Sequence, residues 1–310
     1  MNLNPTPDLS LVGLNRRSFL RRAGLIAALS PMATMLLGGR KADAAPFPPG
    51  LELDLAILNF ALNLEFLEAS YYNLGVTGQD IPSLGVTVTG SGAQGNVTAK
   101  ANAQVPFQSS VLQQFAAEIA ADEIAHIKFI QDTIAKLGGT PVARPSIDLL
   151  NSFNTVANLA GIGPSFDPFE NETNFFLGGY SLTDVGVTAY HGAAPLITNK
   201  TVLSGSAGIL AAEAYHDSTL RLSIYQAGNE ARRNAKLVSD LRDQLDDNGK
   251  KDKDQGVTAD SNDTANIVPT DNNSIAYARS TRQVLNIVYG GFKKKGGGGF
   301  FPAGVNGDIK

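Results

Sequence analysis

The stretch EIAADEIAHIKFI, at residues 118–130, holds a glutamate and a histidine three positions apart, Glu123 and His126, within a helical pattern of apolar residues. Side chains three positions apart on a helix lie on one face, about one turn from each other. Ile119 and Ile127 share that face, so the pattern turns the carboxylate and the imidazole toward a core. Buried charge is costly unless it is paired or bound to a metal. The stretch therefore predicts a helix that carries metal ligands into the protein interior.

A second stretch, ILAAEAYHDSTL at residues 209–220, repeats this arrangement with Glu213 and His216. Ile209 and Leu220 lie on the same predicted face as the pair. The chain has only three histidines, and two of them follow a glutamate by three positions. Bundles that bind two metals carry a Glu-x-x-His motif on each of two helices. The alternative, buried Glu–His hydrogen bonding without a metal, remains open at this point.

Two other predicted helices contribute further carboxylates. Glu65 and Glu68 lie inside an apolar stripe, and Asp184 lies in the sequence LTDV. The order along the chain is then carboxylate, Glu-x-x-His, carboxylate, Glu-x-x-His, which is the pattern of di-iron and di-manganese carboxylate proteins. We therefore predict a site for two iron or manganese ions. Its predicted ligands are Glu65, Glu68, Glu123, His126, Asp184, Glu213 and His216.

Three other polar or aromatic residues near these positions receive a structural interpretation. Tyr72 and Tyr190 are interpreted as core aromatics, because a buried tyrosine more often packs than takes part in chemistry. His191 has no glutamate three positions earlier and is interpreted as structural. It lies two turns beyond Asp184 on one helix face, so it remains a substitute ligand for that position.

The composition limits the classes of function. The chain contains no cysteine, which excludes disulfides, thiolate metal sites and cysteine nucleophiles. Any transition-metal site must then be built mainly from His, Asp and Glu. Residues 1–44 hold six of the 25 Lys and Arg and two of the 29 Asp and Glu, so the remaining 266 residues carry 19 basic and 27 acidic side chains. That acidic balance, a net charge near −8, argues against nucleic acid as a partner.

Helical periodicity predicts an all-α four-helix bundle at residues 51–228, with one long crossover. The first helix is expected to stop at Gly75, and a pairing of Ser110 with Gln113 is expected to cap the second. A long loop with room for a small hairpin follows the first helix, and the crossover at residues 140–173 has room for a short helix near 149–159. The four predicted helices cover residues 51–74, 107–137, 174–194 and 206–226.

The remaining residues, 229–310, are predicted to form a C-terminal extension that packs on the bundle. A short charged helix is expected at residues 232–245 and another at 280–289, where Ser280 and Gln283 form a capping box. Between them lies a polar loop. An aromatic segment containing Phe300 and Phe301 is expected to cover one end of the bundle.

The N-terminus has the order of an export signal. Arg16 and Arg17 precede a modest apolar stretch at residues 23–37, and small residues follow around Ala44. The apolar stretch is shorter than the roughly 20 residues that a spanning helix needs. We predict a twin-arginine signal at residues 1–44, recognition by the twin-arginine export machinery, and a periplasmic or secreted protein without stable membrane insertion after cleavage. An uncleaved membrane anchor or amphipathic helix is the alternative.

Several motifs resemble those of the ferritin-like superfamily, and more closely those of exported ferritin-like domain proteins related to plant desiccation-related proteins. They are LNFALNLEFLE at 58–68, DVGVTAY at 184–190, AGILAAE at 207–213, VLNIVYG at 284–290 and GFFPAGVNG at 299–307. The resemblance covers most of residues 51–307. It implies that Glu65, Glu123, His126, Glu213 and His216 occupy ligand positions.

The third bundle helix departs from the family pattern. Relatives often have glutamate where this chain has Thr183. Asp184 would then have to supply the carboxylate, or the site would lack one bridging ligand.

Three functions follow as hypotheses. The first is redox chemistry with dioxygen or peroxide at a dinuclear iron or manganese site. The second is a stress- or desiccation-associated structural protein whose metal site is degenerate or absent. The third is iron storage, which rests on fold analogy alone. A homo-oligomer is compatible with each of them.

Overall fold

The computed structural model describes residues 50–247, 253–259, 263–291 and 296–310. The predicted export signal at residues 1–44 lies outside them. Within the described ranges, none of the helices has the length and apolar character needed to cross a membrane. The helices are α1 Leu51–Thr77, α2 Ser110–Lys136, α3 Asn151–Ala160, α4 Glu172–Ala193, α5 Lys200–Gln226, α6 Asn229–Asp247 and α7 Thr281–Val288.

Four of these helices form the bundle, which confirms the predicted all-α class. Helix α1 packs against α2, and α4 packs against α5. Contacts of α1 with α4 and of α2 with α5 join the two pairs. The connection from α4 to α5 is short and contains a single 3₁₀ turn, Ala194–Leu196, whereas the connection from α2 to α4 is long and contains α3. This is a bundle with a crossover, as in ferritin-like folds.

The long connections are joined by a small parallel pairing. Strand β1, Val97–Thr98, lies between α1 and α2, and it pairs with strand β2, Ile147–Asp148, from the crossover. The sequence left room for a small hairpin in the first connection. Instead, β1 pairs with a strand that follows about 50 residues later in the chain. A parallel pairing requires such a crossover connection.

Helix α1 runs two residues beyond Gly75, where the sequence predicted its end. The reason is packing, because a Cβ atom at position 75 would lie 2.1 Å from the Phe175 ring on α4. Glycine here allows close approach of two helices. The helix ends at Thr77, and Gly78 follows with φ of 72°, the left-handed conformation typical of a helix end.

The starts of two helices also differ from the prediction. Ser109, one residue earlier than predicted, caps α2 through a hydrogen bond from the backbone N–H of Leu112. Asn199 caps α5, so that helix begins at Lys200. Asparagine and serine are favoured caps because their side chains accept from the first free N–H groups.

The C-terminal elements cover the α4 side of the bundle. Helix α6 packs on α3, α4 and α5, and α7 packs on α4 and α6. The Ser280–Gln283 capping box at the start of α7 is present as predicted. Phe300 and Phe301 are buried, and the ring of Phe300 meets that of Phe153 edge to face at 5.1 Å. The aromatic segment is therefore part of the core.

Candidate metal centre

Three bundle helices bring four predicted ligands together. Glu65 of α1, Glu123 and His126 of α2, and Glu213 of α5 each offer a ligand atom, and these atoms all lie within 4.8 Å of one another. His126 Nδ1 lies 3.3 Å from Glu65 Oε2, 3.3 Å from Glu213 Oε1 and 3.7 Å from Glu123 Oε2. The three carboxylates are buried, so the cluster lies inside the bundle.

His216 lies at the edge of this cluster. Its Nδ1 atom is 3.2 Å from Glu123 Oε1, and its ring centroid is 6.0 Å from that of His126. The other ring nitrogen, Nε2, lies 3.0 Å from Asp122 Oδ2. A carboxylate on the outer nitrogen of a ligating histidine fixes the tautomer and the ring orientation. With Asp122 on Nε2, the Nδ1 atom of His216 faces the cluster, where loss of its proton would free a lone pair for a metal.

Asp122 was not among the residues predicted from the sequence. Its side chain is 46% exposed, so it does not belong to the buried face of α2. The signal that could have found it is its position directly before Glu123, which places it on the side of α2 that faces α5. An acidic residue there can reach a histidine of the neighbouring helix.

Glu68 approaches the cluster from one turn further along α1. Thr183 of α4 donates its hydroxyl to Glu68 Oε2 at 2.5 Å, and the Tyr72 hydroxyl lies 2.8 Å from Thr183 Oγ1. A Cβ atom placed on Gly186 would lie 2.9 Å from Glu68 Oε1 and 3.5 Å from Glu213 Oε2. Glu68 therefore lies beside Glu213 and against α4.

The structure does not bring Asp184 into the cluster. Its Oδ2 atom accepts hydrogen bonds from two buried arginines, Arg221 at 3.1 Å and Arg242 at 2.6 Å. A carboxylate that already neutralises two guanidinium groups is a poor choice for a metal ligand. His191 is also outside the cluster, and its Nδ1 atom lies 3.1 Å from the Tyr277 carbonyl oxygen.

Tyr190 contacts the cluster directly, although the sequence suggested only a packing role. Its hydroxyl donates to Glu65 Oε1, and the ring is buried. The other oxygen of Glu65, Oε2, has no hydrogen-bond partner. Tyr190 therefore occupies one oxygen of this carboxylate and leaves the other facing His126.

The most informative feature of the site is a set of buried atoms that have no hydrogen-bond partner among the residues that the structure describes. Although some of them lie 3.2–3.7 Å apart, they do not meet with hydrogen-bond geometry. Leaving such atoms unsatisfied in an interior costs about 1–3 kcal/mol each, more for charged groups. Oxygen and nitrogen donors of this kind fit a transition metal. The atoms are Glu65 Oε2, both carboxylate oxygens of Glu123 and of Glu213, His126 Nδ1 and His216 Nδ1.

Burial and mutual repulsion shift the pKa values of the cluster. Burial, together with the charges of Glu123 and Glu213, raises the pKa of Glu65 to about 8. Burial acts in the same direction on Glu123, but the imidazoles of His126 and His216 outweigh it and lower the pKa to about 2. The imidazoles are held in the charged form by the carboxylates despite burial, which raises the pKa of His216 to about 9 and that of His126 further above its ordinary value. A metal ion would displace these protons.

A second acidic cluster has a different character. Asp243, Asp246 and Asp254 also come within 4.8 Å of one another. Arg279 contacts Asp246 and Asp254, and Arg242 donates to Asp254 Oδ1 at 2.7 Å. Two buried guanidinium groups already supply the positive charge here, so we assign no metal to this cluster.

Comparison with known proteins agrees with this architecture. The family model described as "Ferritin-like domain" matches residues 53–226, which span all four bundle helices except the first two residues of α1. The chain is 31% identical to a desiccation-related protein of Craterostigma plantagineum, over 75% of this chain and 76% of that protein. It is 28% identical to a ferritin-like catalase of Nesocodon mauritianus, over 83% of this chain and 85% of the relative. No solved structure matches the chain. The bundle, the cluster inside it and these similarities together show that the chain belongs to the ferritin-like family.

Proposed function

We propose that this protein binds two iron or manganese ions inside the bundle and uses them in redox chemistry with dioxygen or peroxide. The observation that supports the proposal is the set of seven buried, unpartnered nitrogen and oxygen atoms contributed by α1, α2 and α5. Two divalent cations would balance the four carboxylates that surround this space. The similarity to a ferritin-like catalase supports a redox role over storage.

The ligands we propose are those that the structure brings together. Nitrogen and oxygen donors suit both iron and manganese, so the ligand types do not choose between the two metals. When bound, the ions would supply the redox chemistry with dioxygen or peroxide. The proposed ligands are Glu65, Glu68, Glu123, His126, Glu213 and His216.

Other residues of the chain form hydrogen bonds that orient the proposed ligands. Tyr190 occupies Glu65 Oε1 and Thr183 occupies Glu68 Oε2, so each carboxylate keeps one oxygen for a metal. Asp122 holds the outer nitrogen of His216. Such supporting contacts fix the orientation and basicity of metal ligands, and their loss typically lowers metal affinity by about 10–100-fold.

Metal analysis of the purified protein tests this proposal. After expression with iron and manganese supplied, we expect about two ions per chain. A variant with Glu123→Ala and His126→Ala should lose the metal together with dioxygen or peroxide consumption. His191→Ala is the matched control, because this third histidine lies outside the cluster, and it should retain both. Less than about one ion per two chains in the unmodified protein would refute the proposal.

A desiccation-associated structural role is the second candidate. Two observations favour it: the residue of α4 that contacts Glu68 is Thr183 and not a carboxylate, and the chain is similar to a desiccation-related protein. This role predicts that the Glu123→Ala, His126→Ala variant keeps its full stability and that the unmodified protein shows no redox activity when loaded with metal. Loss of metal and of peroxide or dioxygen consumption in the variant would contradict it.

We also propose that residues 1–44 direct export through the twin-arginine route, which gives a periplasmic or secreted protein. That route carries folded proteins, so the metals would be acquired before export. Replacing both Arg16 and Arg17 with lysine should leave the full-length protein in the cytoplasm, measured by cell fractionation. Unchanged export would refute this part of the proposal.

A further inference from the structure

A small cavity lies between α1, α4 and α7, across the bundle from the interface of α2 and α5, the two helices that carry His126 and His216. It has room for a small molecule, because the centre of a water-sized sphere can occupy about 20 Å³ of it. Its wall is mostly apolar and includes the buried ring of Phe300. The apolar lining includes Leu64, Leu67, Leu182, Val185, Ile287 and Phe300.

The cavity offers little to a polar occupant. Of the described residues in its lining, two have polar side chains, Glu68 and Ser181. The Ser181 hydroxyl donates to the Gly178 carbonyl at 2.6 Å, and Glu68 Oε2 already accepts from Thr183. A buried water makes about three hydrogen bonds, whereas apolar cavities stay dry and take up apolar guests such as xenon. A small apolar molecule therefore fits this cavity better than water or peroxide.

Gly186 connects the cavity to the metal centre. It lines the cavity, and a Cβ atom at this position would lie 2.9 Å from Glu68 Oε1 and 3.5 Å from Glu213 Oε2. The missing side chain leaves open the space between the apolar wall and the two carboxylates. The cavity and the centre thus share the Glu68 carboxylate.

The opposite side of the centre has a polar character. The His126 side chain is 12% exposed there, and Asp122, which contacts His216, is 46% exposed. A charged or strongly hydrated species would approach from this side, between α2 and α5. The two sides of the centre therefore differ in what they admit.

We propose that the cavity is a holding site for dioxygen, which waits beside Glu68 at the edge of the metal centre. This inference rests on the proposed redox function and deepens it, because it names dioxygen as the oxidant. Dioxygen is small and uncharged, and its transfer from water into an apolar space is favourable.

Xenon is the probe that locates such a site. Crystals of the metal-loaded protein under xenon pressure should show one xenon atom among Leu182, Val185 and Phe300. Leu182→Phe should fill the space and exclude xenon. Leu177→Phe is the matched control, since Leu177 is a buried leucine of the same helix that lines a separate cavity of about 10 Å³.

The functional readout is the oxidation of the ferrous-loaded protein, followed by stopped-flow absorbance. We expect Leu182→Phe to slow the reaction with dioxygen by at least about tenfold, to leave the reaction with hydrogen peroxide within about twofold, and to keep the metal content. Leu177→Phe should change neither rate. Should Leu182→Phe fail to fold, Val185→Leu adds one methylene to the same wall and serves instead.

Two results would overturn the inference. One is the absence of xenon from the cavity of the unmodified protein. The other is an unchanged dioxygen rate in a variant from which xenon is excluded. In both cases bound metal in the same sample leaves the proposed function standing. A sample that binds no metal refutes the proposed function and, with it, the role of the cavity.

Discussion

Replacing Asp184 with asparagine should destabilise the protein without changing its metal content. Asp184 was a predicted ligand, but its Oδ2 atom is held by Arg221 and Arg242. The side chains of both arginines are at most 3% exposed, and that of Asp184 is 6% exposed. An asparagine at this position would keep the shape of the side chain and remove the charge that balances two guanidinium groups.

The expected loss follows from the burial of the three groups. Breaking a buried ion pair by removing one partner costs about 3–5 kcal/mol. Arg242 retains Asp254 and the Tyr180 carbonyl, and Arg221 retains backbone carbonyls, so we expect the lower half of that range. For a domain of this size about 1 kcal/mol corresponds to roughly 2–4 °C in Tm. The midpoint temperature of thermal unfolding should therefore fall by roughly 6–16 °C.

Thermal unfolding followed by circular dichroism measures this change, with a chelator present so that bound metal does not contribute. Asp263→Asn is the matched control, because Asp263 forms a 3.7 Å ion pair with Arg232 and its side chain is 54% exposed. Exposed pairs contribute about 0–1 kcal/mol. The interpretation of Asp184 is refuted if its variant unfolds within a degree or two of the control, or if the loaded Asp184 variant has lost a metal ion.

Two further predictions concern proton release and helix packing. His126 and His216 are protonated and charged at neutral pH in the metal-free protein, because the surrounding carboxylates raise their pKa values, that of His216 to about 9. Metal binding must displace these protons, so the affinity for metal should rise with pH. From pH 6 to 8 we expect the metal affinity to rise by up to about tenfold per pH unit for each proton displaced. Titration calorimetry in two buffers measures this rise, and a metal affinity that does not change with pH would exclude imidazole ligation. Gly192→Ala places a Cβ atom 1.9 Å from the Arg279 carbonyl oxygen and should cost about 1–3 kcal/mol in urea unfolding. Gly208 is also helical, but a Cβ atom there would meet no described atom of a neighbouring element within 4 Å. Gly208→Ala should therefore raise the free energy of unfolding by up to about 1 kcal/mol. Equal effects of the two substitutions on stability would contradict the packing described.

The sequence was sufficient for the features that depend on local spacing. The Glu-x-x-His pairs at 123–126 and 213–216 fix two residues on one helix face, so their inward direction could be predicted without coordinates. The same applies to Glu65 in its apolar stripe and to the Ser280 capping box, which needs only four residues. Ligation by these residues is still a prediction.

Features that depend on distant residues could not be predicted in this way. Asp184 is buried as expected, but its partners Arg221 and Arg242 follow 37 and 58 residues later. Gly75 has the appearance of a helix stop, and only the position of Phe175 shows that it permits close packing. In both cases a local pattern was correct about burial and gave no information on what the residue meets there.

The contact between Asn63 and Asn306 has a consequence for the order of events during synthesis. The backbone N–H of Asn306 donates to Asn63 Oδ1, and the Asn63 amide donates to the Asn306 carbonyl, across 243 residues of chain. At about 5–20 residues per second, a ribosome needs roughly 12–50 s to add that length. Until then the Asn63 amide keeps its bond to the Asn59 carbonyl and lacks its partner at residue 306, so the native contacts of α1 are completed only after residue 306 has been added.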